Sequence, residues 1–137
     1  MALGSYITQA PKVIPGLLTW YDGNDTSGDG SIISDATAIA TWFDKSGNGL
    51  NVTQGSGSKQ PLVKTDILAG KSVVRFDGSD DFMNNASYKD TTDFATFLVG
   101  NIVDATSNET PYEVSTTATS RGFKMIFTNT PQLVFRY

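Results

Sequence analysis

The stretch VVRFDGSDDFM, Val73 to Met83, decides how this chain is read. An apolar run ends at Phe76, and three carboxylates, Asp77, Asp80 and Asp81, then fall within five residues. Val73, Arg75 and Asp77 share one face and Val74, Phe76 and Gly78 the other, the two-residue period of a strand. Gly78 supplies the permissive backbone of a turn. Phe76 and Phe82 flank that turn and are expected to anchor it in the core, with Asp77 accepting from backbone N–H groups. Asp80 and Asp81 are then either exposed or bound to a cation that would relieve the repulsion of three like charges. The turn reading comes first and the metal reading second.

Outward from this stretch, short apolar runs alternate with turn signals. Upstream lie GLLTWY (Gly16 to Tyr21), TAIATWFD (Thr37 to Asp44), LNVTQ (Leu50 to Gln54) and PLVKTDI (Pro61 to Ile67), with a turn expected over Leu68 to Lys71. Downstream lie DFATFLVGNIVD (Asp93 to Asp104), YEVST, GFKMIFT and QLVFRY. No long segment keeps a 3.6-residue period. Many short strands at this spacing predict an all-β fold, an antiparallel sandwich or barrel. In WFDKSGNG (Trp42 to Gly49), Asp44 and Ser46 are the residue types that bond the backbone of a turn, and Gly47, Asn48 and Gly49 accept positive φ.

Composition narrows the functions. The 137 residues suffice for one domain, and 39% hydrophobic content is enough for a core. The net charge is −4 and no basic stripe exists to neutralise phosphates, so nucleic acid is not an expected partner. No apolar run is long enough to insert as a membrane-spanning helix. Cysteine and histidine are both missing, which removes Ser–His–Asp and Cys–His catalysis and thiolate or imidazole zinc sites. Only oxygen-ligand metals remain, with calcium the natural candidate.

The loop DGNDTSGDGS is where calcium is expected. Asp25, Ser27 and Asp29 occupy alternate positions before Gly30, the spacing of the first half of an oxygen-rich calcium loop. Asp22 and Asn24 add further oxygens. The closing bidentate position of such a loop is Ala36 here, so the match stops halfway.

PGLLTWYDGND, WFDKSGNGLNVTQ and KSVVRFDGSDDFM follow one another in that order. This succession, over Pro15 to Phe97, resembles the laminin-G-like, concanavalin A-like lectin/glucanase superfamily in its bacterial and phage form. The resemblance implies a jelly-roll sandwich of two antiparallel sheets over residues 15–137, behind an N-terminal arm of residues 1–14. It also implies a binding or spacer module, often on surface proteins or virion appendages, with glycans as common ligands. Catalytic members carry closely spaced Glu and Asp on one strand. The only glutamates here, Glu109 and Glu113, fall in what reads as a loop. A glycosidase needs two carboxyls held about 5–9 Å apart on a rigid surface, so no enzymatic activity is expected.

Sugar rings stack on exposed aromatic faces. Trp20 and Trp42 lie at strand ends and read as core, which leaves Tyr88 and Tyr112, in polar loops, as ligand-binding candidates. The opening MALGSY carries no export signal, which favours cytoplasmic assembly into a virion. The expected function is a non-catalytic virion-associated structural or adhesion module with host-surface glycans as ligands; the alternative is an extracellular bacterial carbohydrate-binding domain. The sequence stops in mid-pattern at QLVFRY (Gln132 to Tyr137), as in a sandwich truncated at its C-terminus. An open-edged last strand would be completed by other assembly subunits, most simply as a homo-oligomer.

Overall fold

Valine, threonine and leucine between glycine-rich turns make pleated ladders the cheapest way to pair this backbone, and the computed structural model is β-rich with little helix. It describes Pro11, residues 14–85 and 95–101, and the backbone of the three strands that follow. The chain divides into two units, Met1–Asn85 and Ala86–Tyr137.

In the first unit, β1 (Thr41–Trp42) pairs antiparallel with β2 (Val52–Thr53), and β3 (Leu62–Leu68) with β4 (Lys71–Arg75). The β3–β4 hairpin matches Leu62 to Arg75, Val63 to Val74, Lys64 to Val73 and Leu68 to Lys71. Its loop is Ala69 and Gly70, both at positive φ, the backbone that follows the strand twist most closely in a two-residue hairpin. Four steps along β3 match two along β4, so β3 bulges between Lys64 and Leu68, and Asp66 takes up the kink at φ 57°. The second unit holds one antiparallel sheet in the order β5 (Glu109–Val114), β6 (Phe123–Phe127), β7 (Leu133–Arg136).

Several expected strands are shorter than the sequence predicts. In TAIATWFD only Thr41 and Trp42 form a ladder; Ala38 makes a single bridge to Leu62, and the Ile39 amide donates to Pro61 O. The segment changes partner halfway, from the edge of β3 to β2, and cannot run one ladder. GLLTWY forms no strand, because side chains of the 44–48 turn take up its backbone groups. Residues 95–101 contain no strand either, and the rest of that run lies outside the described residues. Conversely Glu109, Tyr112 and Glu113, expected in a loop, lie on β5. Pro111 falls where the β5–β6 register shifts, between Glu109 and Tyr112, and a shifted ladder tolerates a residue with no N–H.

Among the described residues the buried hydrophobic side chains are Ile39 and Val63, with Pro61 beside them. Phe76 and Phe82 are 43% and 47% exposed, not the core anchors expected. What joins the segments here is polar. The Gln54 side chain, buried, donates from Nε2 to Phe82 O (3.0 Å) and accepts the Ser56 amide at Oε1 (3.0 Å). Its own carbonyl accepts from Gln60 Nε2 (2.8 Å), and its amide donates to Ala40 O (2.9 Å).

Candidate functional site

Asp44 organises the first turn. Its Oδ1 accepts the amides of Trp20 and Ser46, each at 2.9 Å. Its Oδ2 accepts the Ser46 hydroxyl (2.8 Å) and the Leu50 amide (3.1 Å). Burial works against its ionisation, but these donors outweigh it and hold the carboxyl below the usual range. Gly47 and Gly49 close the turn at φ 98° and 72°, and Asn48 Nδ2 reaches back to Leu17 O and Leu18 O, both at 2.9 Å. The Tyr21 hydroxyl donates to Leu50 O, and its ring lies 5.7 Å from that of Trp42, tilted by 57°. Trp42 Nε1 in turn donates to Asp22 O (3.1 Å). The first two motifs are thereby one hydrogen-bonded assembly, and it presents Lys45 to the acidic loop.

Lys45 Nζ lies 2.7 Å from Asp25 Oδ2 and 3.0 Å from Asp22 Oδ2, and 4.6 Å from the centre of the Trp20 ring. Asp25 is only 8% exposed. Its burial opposes ionisation, yet the Lys45 ammonium, the Gly30 N–H (3.1 Å) and the Ser27 hydroxyl hold its carboxyl below the usual range. Lys45 is raised for the matching reason: burial would lower it, and the two carboxylates prevail.

Of the five residues expected to gather round calcium, Asp25, Ser27 and Asp29 do come together, the Ser27 hydroxyl lying 3.3 Å from Asp25 Oδ1 and 2.6 Å from Asp29 Oδ1. Asp22 and Asp25 share Lys45. Asn24 Oδ1 accepts the Ser72 amide at the start of the second hairpin strand (3.1 Å). Asp29 Oδ1 accepts the Ser27 hydroxyl (2.6 Å) and the Ser31 amide (2.9 Å), and these bonds lower its carboxyl to about 2. Sequence reading missed Lys45, which pairs with both Asp22 and Asp25. Its signal was faint: a base next to Asp44, twenty and twenty-three residues from the acids it neutralises.

Asp77 to Asp81 form a capped turn. Asp77 Oδ1 accepts the amides of Ser79 (2.8 Å), Asp80 (3.2 Å) and Asp81 (3.3 Å), and Asp81 Oδ2 accepts the Asp77 amide (3.0 Å). The Ser79 amide, with those of Asp81 and Asp80, keeps Asp77 below the usual range against some desolvation, and Gly78 provides φ 76°. Carboxylate oxygens of Asp77, Asp80 and Asp81 come within 4.8 Å of one another at the surface, close enough to hold a metal ion. Lys59 Nζ stands 4.0 Å from Asp80. Tyr88 lies outside the described residues, and Tyr112 sits on β5 opposite Met125. Comparison with known protein families, curated proteins and solved structures finds no match.

Proposed function

We propose that the chain is a non-catalytic module of the concanavalin A-like, laminin-G-like type, a jelly-roll sandwich serving as a structural and adhesion part of a virion. Glycans of the host surface are its proposed ligand class, and other assembly subunits, with copies of itself, its proposed partners. One observation carries the reading. In each of the three motifs a carboxylate is fixed by backbone amides or a lysine, and those of Asp25, Asp44 and Asp77 are held below the usual carboxyl range. A general acid must keep a proton near neutral pH, and these groups are tuned the opposite way. The acids work as fasteners of loops, as suits a scaffold that displays surface. Exposed Phe43, Phe76 and Phe82 add apolar surface to that display.

Two measurements test this with the intact chain. A glycan array should return binding to a restricted set of surface glycans, with no release of reducing ends from any of them. Antibody raised against the chain should label assembled particles. Label confined to a bacterial surface would move the reading to a cell-borne adhesin. Glycan turnover, or an array without binding together with unlabelled particles, would overturn it.

A further inference from the structure

We propose that Lys45 is the built-in cation of the Asp22–Gly30 loop and stands where a calcium ion would otherwise bind. The inference is independent of any glycan role. A calcium site needs about six to eight oxygens converging at about 2.3–2.6 Å. Here the oxygens of the loop are already divided. Asp25 Oδ1 holds the Gly30 amide and the Ser27 hydroxyl, Asn24 Oδ1 holds the Ser72 amide, and Asp29 Oδ1 is taken by Ser27 and Ser31. Oδ2 of Asp22 and Oδ2 of Asp25 converge on Nζ of Lys45, at 3.0 and 2.7 Å.

A divalent ion between those carboxylates would have to expel an ammonium that also lies over the face of Trp20. Two carboxylates and the Trp20 face hold the ammonium, and the backbone that carries it is fixed as well. The Lys45 amide donates to Trp20 O (2.8 Å), and its neighbour Asp44 is bound by four donors. An ion from solution must be captured and dehydrated, whereas a lysine delivered by the next turn arrives whenever the chain folds. The loop therefore keeps its shape without calcium, and its order is tied to that of the Trp42–Gly49 turn.

Replacing the lysine should expose the latent site. The experiment follows thermal unfolding of the intact chain, with terbium luminescence sensitised by the nearby tryptophans, in chelator and in millimolar calcium. The wild type should melt at the same temperature in both. Lys45→Met should melt several degrees lower in chelator and recover in calcium, and adding Asp25→Asn should abolish the recovery. Its terbium signal should rise above that of the wild type, whose Asp77, Asp80 and Asp81 cluster sets the background. Lys45→Arg, which keeps the charge, should remain indifferent to calcium. If Lys45→Met does not fold in chelator, folding on calcium addition supports the proposal and continued unfolding in calcium overturns it. A calcium-dependent rise in the wild type that is lost in Asp25→Asn also overturns it.

Discussion

Asp44 accepts four hydrogen bonds from four different groups, three of them backbone amides. Truncating such a side chain leaves donors unmet in a half-buried turn, and bonds to a charged group contribute more than neutral ones. Asp44→Ala is expected to cost about 2–4 kcal/mol, which urea unfolding will measure. Loss below about 1 kcal/mol would mean that water replaces the carboxylate without penalty. The carboxyls of Asp25, Asp44 and Asp77 all sit below their usual range in the folded chain. Their stabilisation is complete above the unfolded value of about 3.9 and is lost as pH falls through the lower folded values. Lys45 is raised, so its share is present below about pH 10.4 and disappears as pH rises beyond that. The urea midpoint should therefore fall steadily on acidification below about pH 4, and a profile flat down to about pH 2 would contradict the assignment.

Between elements, the acidic loop lies against the β3–β4 hairpin through Gly23. A Cβ added there would come 3.2 Å from Val73 Cα and 3.3 Å from Val74 N, both backbone atoms that cannot swing aside. Gly23→Ala should push the loop off β4 and weaken the Asn24–Ser72 bond, costing about 1–3 kcal/mol. Amide exchange at Ser72 is the readout, and unchanged protection there would show that the hairpin yields freely. The hairpin was legible in the sequence: PLVKTDI and SVVRFDG read as two short strands, and the turn over Leu68 to Lys71 stands where expected. GLLTWY was misread because its pattern suits a strand, while its hydrogen-bond partners are side chains twenty-four to thirty-one residues away. The first half of β5 was misread in the other direction, although YEVST after it reads as a strand. A proline and two glutamates argued for a loop, and only the shifted register, which no local pattern announces, makes room for them in a ladder.

For the whole molecule, the balance of polar and apolar attachment stands out. Among the described residues few apolar side chains are buried, while Leu62, Ile67, Leu68, Phe76 and Phe82 are exposed. Denaturant sensitivity scales with the surface uncovered on unfolding. With so little apolar surface buried among the described residues, the m-value should lie near the lower end, about 1 kcal/mol/M in urea. A value of about 2 or above, together with a dimer or larger species in light scattering, would mean that those exposed residues are covered in solution by further copies of the chain. The sequence identified which residues make turns, since Asp, Ser, Asn and Gly at these spacings carry local rules. It could not show which distant charge meets which, because an ion pair across twenty residues leaves no periodic trace.

Gln54 carries a consequence of a different kind. Its amide gives a hydrogen to one carbonyl and takes one from an amide, a division of labour that a carboxylate cannot perform and a carboxylic acid can. Gln54→Glu, nearly identical in shape, would set a negative charge against Phe82 O at neutral pH and a proton donor there in acid. Burial and the facing carbonyl would both raise the acid's folded pKa above the unfolded value of about 4.3. The stability of this variant, relative to the wild type, would be greatest in acid and decline as pH rises through that folded value. One exchanged atom would thus turn a passive fastener into a clasp that closes on acidification, while the native carboxylates of the same unit loosen.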